Sequence, residues 1–155
     1  MRLTMFAVAA LGFGLVGPAL AGDISPQANQ ELLDANAKKP GVVVLPSGLQ
    51  YRVIKSGSGQ TPAAGDVVTV AYRGAMVDGY VFDQTKPGET RDLPVDKLIP
   101  GWVEALSLMK EGDEWELVVP SELGYGATRA GNGAIAPNQT LVFDLQLIAV
   151  MHKKP

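Results

Sequence analysis

The stretch Leu98-Ile99-Pro100-Gly101-Trp102 decides how the middle of the chain folds. Pro100 and Gly101 end any strand before them, because proline lacks a backbone N–H and glycine favours turns. Beyond them, apolar residues recur at the i, i+3, i+4 and i+7 positions of a helix: Trp102, Ala105, Leu106 and Met109. This spacing predicts one apolar face of a two-turn helix, which is too short to be stable alone and must pack against a larger element.

Trp102 has two interpretations. The first is a core residue, since tryptophan is largely buried in most folded proteins. The second is that its indole forms the floor of a pocket. The spacing alone favours the core, and the choice depends on the rest of the chain.

The first 21 residues have the pattern of a secretory signal peptide. Arg2 supplies a positive charge, an apolar run extends from Met5 to Val16, and Ala19-Leu20-Ala21 is a small-x-small cleavage pattern. The run is shorter than the ~20 apolar residues that a membrane span requires. We therefore expect cleavage after Ala21 and a periplasmic or secreted protein with no stable membrane insertion.

The composition excludes several classes of function. The chain has a net charge of -3, no cysteine and a single histidine, His152, near its C-terminus. A mildly acidic chain without a basic cluster argues against nucleic acid as a partner. One histidine and no cysteine leave no Ser-His-Asp or Cys-His arrangement and no histidine-rich metal site. We expect neither a metal nor a cofactor.

The pattern predicts one domain at residues 42–152, preceded by a polar leader with a short helix at residues 22–41. Asp78-Gly79 is a strong hairpin turn. The long segment 121–139 contains Tyr125 and Ile135 and indicates a functional loop. The predicted fold is α+β, an antiparallel twisted sheet of five to six strands wrapped around one short helix. Alternating apolar residues predict strands at 49–54, 67–75, 80–83, 93–95, 114–119 and 140–150.

Strand ends and loops contribute aromatic and apolar side chains that would form a small-ligand or side-chain pocket if they converge. Asp83 and two tyrosine hydroxyls would be its polar groups. From patterning alone, an ordinary core role is the better interpretation for each. The set comprises Tyr72, Phe82, Leu98, Ile99, Trp102, Tyr125, Ile135 and Phe143.

Five segments follow one another in a characteristic order and spacing: 68–74, 81–83, 98–102, 123–127 and 140–144. Together they resemble the motifs of an FKBP-type peptidyl-prolyl isomerase over residues 49–150. The segment 45–51 is similar to the start of the isomerase domain in periplasmic FKBPs of the macrophage-infectivity-potentiator type. In those proteins a long helix links that domain to an N-terminal dimerisation domain. Only residues 22–41 precede the domain here, so we expect a monomer.

The resemblance implies a role for each member of the set. Trp102 would lie under the substrate proline ring, while the backbone N–H of Ile99 and the hydroxyl of Tyr125 would donate to substrate carbonyls. Asp83 would lie at the pocket edge, held by a tyrosine hydroxyl or in contact with the ligand. Ile135 would come from the long loop over the site. The pocket walls would be Tyr72, Phe82, Leu98, Ile99 and Phe143.

Two positions depart from the family pattern. Leu93, a further position expected to contact substrate or inhibitor, stands where the family often has an aromatic residue. The loop 128–136 lacks the histidine found there in some members. The substrate preference and the affinity for the macrolide ligands of the family are therefore left open.

The implied activity is the isomerisation of X-Pro bonds in unfolded or partly folded polypeptides. It requires no acid, base, nucleophile or metal, since a dry apolar pocket disfavours the planar, charge-separated amide relative to the twisted one. Two alternatives stay open. One is a holdase-type chaperone that binds unfolded segments through the same pocket, and the other is a non-catalytic binding module in which Tyr72, Phe82 and Trp102 are core residues.

Overall fold

The computed structural model describes residues 22–154, so the predicted signal peptide lies outside the described residues. Two α-helices and seven strands form within this range. The helices are α1 (Pro26–Ala37) and α2 (Pro100–Leu106). The strands are β1 (Val43–Val44), β2 (Gln50–Lys55), β3 (Val67–Met76), β4 (Val81–Gln84), β5 (Arg91–Pro94), β6 (Glu114–Val119) and β7 (Leu141–Met151). In the described part of the chain, no helix is long and apolar enough to cross a membrane.

The strands form one antiparallel sheet in the order β1-β2-β6-β7-β3-β4. The strand β5 lies along the same edge as β4, because it pairs with the first half of β3. The predicted α+β class with an antiparallel sheet is confirmed. The described residues contain seven strands rather than five or six, and the additional one is β1, whose two residues are too few to produce an alternating pattern.

The inner face of the sheet and α2 share one buried cluster. The predicted helix face is buried throughout, with Trp102 4% exposed and Ala105, Leu106 and Met109 fully buried. Alternate residues of β7 face the same core, since Leu141, Phe143, Leu145 and Leu147 are at most 3% exposed. Each fully buried large apolar side chain stabilises the fold by roughly 1.5–3 kcal/mol. This burial holds a helix that is too short to persist alone.

The outer face of the sheet carries a row of charges across four strands. Arg52 pairs in register with Glu116, Glu116 with Asp144, and Asp144 with Arg73. The guanidinium of Arg52 lies 3.2 Å from the carboxylate of Glu116. Burial and the neighbouring charge of Glu116 raise the pKa of Asp144 to about 7. The Asp144 carboxyl is therefore only partly ionised near neutral pH.

The helix α1 begins at a conventional N-cap. The hydroxyl of Ser25 accepts a hydrogen bond from the backbone N–H of Ala28 at 3.1 Å, and Pro26 occupies the first turn. The helix predicted within residues 22–41 is thus present. Two of its side chains, Asn29 and Asn36, are buried against the rest of the chain. The proposed boundary between the leader and the isomerase domain stays a prediction.

Candidate active site

The bend before α2 sets Ile99 and Trp102 next to each other. Ile99 is the extended N-cap residue, and Pro100 takes the first turn, where its missing N–H costs no helical hydrogen bond. A Cβ on Gly101 would lie 2.6 Å from Cγ1 of Val119, so glycine is needed for this close approach of α2 to β6. The bend therefore depends on both Pro100 and Gly101.

Trp102 is the centre of a set of edge-to-face aromatic contacts. The ring centroids of Tyr72 and Phe143 lie 5.0 and 5.3 Å from that of Trp102, at interplanar angles of 89° and 82°. Phe82 contacts Phe143 in the same manner at 5.7 Å. Each such pair contributes ~0.5–1.5 kcal/mol beyond burial. The structure thus brings Tyr72, Phe82, Trp102 and Phe143 into one group, the aromatic cluster.

A glycine makes room for the aromatic cluster. Gly74 lies on β3, where it is in register with Asp83 on one side and Phe143 on the other. A Cβ at this position would lie 2.6 Å from Phe143 and 2.7 Å from Phe82. Carbon atoms in contact are normally ~3.5–4.0 Å apart. The two phenylalanine rings therefore occupy the space that any side chain at position 74 would need.

The aromatic cluster passes from buried to half-exposed. Trp102 and Phe143 are 4% and 3% exposed, whereas Tyr72 and Phe82 are only partly buried. Within residues 22–154 the buried indole N–H of Trp102 has no acceptor. Trp115, which stacks on Tyr51 elsewhere in the core, has the same property, so an unpartnered indole alone does not single out Trp102.

Three polar side chains meet at the edge of the aromatic cluster. The hydroxyl of Tyr72 donates to Oδ2 of Asp83, and Nη1 of Arg91 donates to that hydroxyl at 2.5 Å and to Asp83 at 3.0 Å. Burial, together with the hydrogen bond to Asp83, raises the pKa of Tyr72, so its hydroxyl stays protonated. Of the two arrangements implied for Asp83, the structure has the one in which a tyrosine hydroxyl holds the carboxylate.

Arg91 is a member of the site that the sequence did not indicate. Besides its hydrogen bonds to Tyr72, Asp83 and the carbonyl of Gln84, its guanidinium lies 5.3 Å from the ring centroid of Tyr72. A single arginine at the start of a short strand has no surrounding sequence pattern that would predict a role in a binding site. Only the pairing of β4 and β5 along the same edge of β3 brings it to Asp83.

The two expected hydrogen-bond donors are free to bind another molecule. Among the described residues, neither the backbone N–H of Ile99 nor the hydroxyl of Tyr125 has an acceptor. Tyr125 is 41% exposed. Partial burial, followed by the charge of Asp83, raises the pKa of the Tyr125 hydroxyl, which therefore remains a donor at neutral pH.

The remaining apolar positions belong to, or pack against, the same buried core as Trp102 and Phe143. Leu93, Leu98 and Ile99 are partly buried against the core. Ile135 is only 2% exposed, and its backbone exchanges two hydrogen bonds with Ala130, at 3.0 and 3.1 Å. Ile135 thus comes from the long loop as expected, but its side chain is buried in the core and anchors that loop.

The chemistry that these residues offer is non-covalent. Within residues 22–154, no group of three or more His, Cys, Asp or Glu side chains is arranged to hold a metal ion. His152 lies away from the aromatic cluster, with Nδ1 2.8 Å from Asp66. The site combines a buried indole, aromatic walls and two unpaired donors, an arrangement suited to an apolar ring flanked by amide carbonyls.

Comparisons with known proteins agree with this description. The profile of the family described as FKBP-type peptidyl-prolyl cis-trans isomerase matches residues 58–148. A second profile, the domain amino terminal to FKBP-type peptidyl-prolyl isomerase, matches residues 22–53. The chain is 52% identical over 119 residues to the outer membrane protein MIP of Legionella longbeachae, covering 76% of this chain and 51% of that protein. It is 49% identical over 120 residues to the FKBP-type 22 kDa peptidyl-prolyl cis-trans isomerase of Escherichia coli K12, covering 77% and 58%.

Solved structures show the same fold. A peptidyl-prolyl cis-trans isomerase from Pseudomonas syringae superposes with a TM-score of 0.75 at 37% identity, covering 81% of this chain and 92% of that one. FkpA from Escherichia coli gives the same TM-score and identity, covering 94% and 65%. The chain spans about half the length of the curated relatives that it matches, between 51% and 58% for those named above.

Proposed function

Because this chain belongs to the family of FKBP-type peptidyl-prolyl cis-trans isomerases, we propose that it accelerates X-Pro isomerisation in unfolded or partly folded polypeptides. The observation that carries the proposal is the aromatic cluster around Trp102, with the unpaired donors of Ile99 and Tyr125 available to a substrate. The same comparisons favour an isomerase over a holdase or a non-catalytic module.

Isomerisation of an X-Pro bond requires an apolar binding site rather than a reactive side chain such as an acid, a base or a nucleophile. Rotation about a peptide bond has a barrier of ~18–20 kcal/mol, because the resonance of the C–N bond is lost in the twisted state. The planar amide is more charge-separated than the twisted one, so an apolar aromatic site disfavours the ground state more than the transition state. Each 1.36 kcal/mol of such differential stabilisation accelerates the reaction about tenfold.

We assign the roles within this site as follows. Trp102 supports the proline ring, and the N–H of Ile99 and the hydroxyl of Tyr125 donate to the substrate carbonyls on either side. Asp83, bound by Tyr72 and Arg91, sets the polarity of the edge without transferring a proton. The walls are Tyr72, Phe82, Leu93, Leu98 and Phe143, and Ile135 anchors the loop.

The two tryptophans provide a matched test. Trp102 and Trp115 are 4% and 5% exposed, but Trp115 stacks on Tyr51 instead of on the aromatic cluster. Trp102→Leu is expected to abolish most of the acceleration in proline-limited refolding of a model substrate, whereas Trp115→Leu lowers stability and leaves kcat/KM within about twofold once corrected for the folded fraction. Equal loss in both variants would contradict the assignment.

Macrolide ligands of the family are a second probe of the same site. We propose that they compete with proline-containing substrates, because both would bind the aromatic cluster. Addition of such a ligand should suppress wild-type refolding activity. Binding of the ligand is measured directly, so that the activity can be assayed at a saturating concentration. Undiminished activity at that concentration would show that the ligand and the substrate do not share a site, and would contradict the proposal.

Export and oligomeric state are also proposals. The signal-peptide pattern at residues 1–21 supports a periplasmic or secreted protein, and a relative carries the name outer membrane protein. Intact mass of the protein recovered from a periplasmic fraction should correspond to a chain that begins at Gly22. Sedimentation at micromolar concentration should give a monomer.

A further inference from the structure

The helix α1 is attached to the rest of the chain through two buried asparagines. Asn29 and Asn36 are seven residues apart, two helical turns, so they share one face of α1. They are 6% and 3% exposed. Asparagine is a poor helix former, and a buried amide must find partners, so two buried asparagines on one face indicate specific docking.

The two asparagines bind different parts of the molecule. Asn36 donates to Oε1 of Gln50 at 2.8 Å, and Gln50 donates back to the carbonyl of Leu33 at 3.0 Å. This contact joins the end of α1 to the start of β2. Gln50 is in register with Val118 on β6, so the contact has no direct bond to the long loop.

Asn29 instead binds the point where the long loop enters β7. Its Oδ1 accepts the backbone N–H of Thr140 at 2.6 Å, and its Nδ2 donates to Oε1 of Gln139 at 3.3 Å. The Gln139 amide donates in turn to the carbonyls of Ile24 and Pro137, at 3.1 and 3.3 Å. The three residues that meet at this junction are all buried: Asn29 and Gln139 are each 6% exposed, and Thr140 is 2% exposed.

A short path connects this junction to Tyr125. Asn138, next to Gln139, adopts a left-handed conformation with φ 59°. Its N–H donates to the carbonyl of Gly126 at 2.8 Å, and the N–H of Gly126 donates to Ser121 at 2.8 Å. Gly126 is adjacent to Tyr125, so the backbone that carries the tyrosine is fixed from the same junction that Asn29 holds.

We propose that Asn29 is a positioning residue of the isomerase site, acting through Gln139, Thr140 and the Asn138–Gly126 hydrogen bond on the Tyr125 hydroxyl. The inference rests on the proposed function. It makes α1 part of the catalytic unit, although 110 residues separate Asn29 from Gln139 along the chain.

Asn36 provides the matched control. Asn29→Ala and Asn36→Ala each remove a buried amide from the same helix face, so both lower stability. With both variants more than 95% folded at the assay temperature, Asn29→Ala is expected to lower kcat/KM for a short proline-containing peptide by about tenfold, since small displacements of a substrate-binding group are costly. Asn36→Ala should stay within about twofold of wild type.

Hydrogen exchange gives a readout that does not depend on activity. The amides of Gly126 and Asn138 should exchange faster in Asn29→Ala than in wild type, while Asn36→Ala leaves them unchanged. If Asn29→Ala does not fold, Gln139→Ala tests the same connection from the loop side and should give the same pattern.

The outcomes separate this inference from the proposed function. An inactive wild-type protein would refute the proposed isomerase activity itself. An active wild type in which the Asn29 and Asn36 variants lose activity equally, or in which the Asn29 variant exchanges like wild type at Gly126 and Asn138, would overturn the positioning role alone.

Discussion

Gly74→Ala is the substitution whose effect on the site follows most directly from the geometry. The added methyl would lie 2.6 Å from Cε1 of Phe143, 2.9 Å from its Cδ1 and 2.7 Å from Cζ of Phe82. All three distances are shorter than a normal carbon contact of ~3.5–4.0 Å by about 1 Å. One or both rings must therefore move.

The movement would reach Trp102. Phe143 is packed against Phe82 on one side and Trp102 on the other, with centroid distances of 5.7 and 5.3 Å. Inserting a carbon atom into a packed core costs ~1–3 kcal/mol of stability. A shift of ~1 Å in a substrate-binding group lowers catalysis by up to ~100-fold. We therefore expect a folded variant with moderately lower stability and a 10- to 100-fold lower kcat/KM, a range taken from the same estimate.

A crowded glycine far from the site controls for the loss of stability. A Cβ on Gly59 would lie 2.4 Å from Cβ of Glu111, and its three nearest atoms all belong to the Glu111 side chain. Urea unfolding gives the stability of Gly74→Ala and Gly59→Ala, and exchange spectroscopy on a proline-containing peptide gives their activity. Wild-type activity in a folded Gly74→Ala protein would refute the dependence of catalysis on the aromatic cluster.

Three further substitutions test the polar groups. Asp83→Asn keeps an acceptor for Tyr72 and should retain activity within about tenfold of wild type. Loss of a group that transfers a proton would instead lower the activity by ~10²–10⁴-fold. A pH–rate profile of the folded variant distinguishes these two roles of Asp83. Arg91→Met breaks an ion pair between side chains that are 43% and 42% exposed, so urea unfolding should show a loss of about 1 kcal/mol or less, together with a lower kcat/KM. The raised pKa of Asp144 stabilises the fold below its ordinary value of 3.8, and this contribution is lost as the pH rises through about 7. Asp144→Asn should therefore be more stable than wild type at pH 8 by about 2 kcal/mol, since each unit of pKa shift is worth ~1.4 kcal/mol and residual exposure reduces the total. This difference should shrink as the pH falls and vanish below 3.8; a difference in stability that does not change with pH would contradict the shift.

Local periodicity predicted the elements that form the core. Alternation over Glu114–Val119 gave the observed limits of β6, and the stripe from Trp102 to Met109 marked the buried face of α2. The helix itself ends at Leu106, and Met109 is held by a backbone hydrogen bond to Ala105. These features depend on residues that are close together in the chain, within one or two helical turns or at adjacent strand positions, so local sequence patterns can predict them.

The features that the sequence did not indicate depend on distant partners. Arg91 reaches Asp83 only after β4 and β5 pair with the same edge of β3. Asn29 meets its partners across 110 residues, and a polar helix with a weak apolar face gives no sign of where it docks. The resemblance of the motifs supplied the roles of Ile99 and Tyr125, because patterning alone favoured the core for every apolar member of the site.

If substrates isomerise against Trp102, the indole N–H signals of the two tryptophans must respond differently to substrate. A proline-containing peptide is titrated into the protein while nuclear magnetic resonance follows both indole resonances and the cis–trans exchange rate of the peptide. We expect the Trp102 signal to shift over the concentration range in which the exchange rate saturates, while the Trp115 signal stays in place. Catalysed exchange without a shift at Trp102, or with a shift at Trp115 alone, would contradict this role of Trp102.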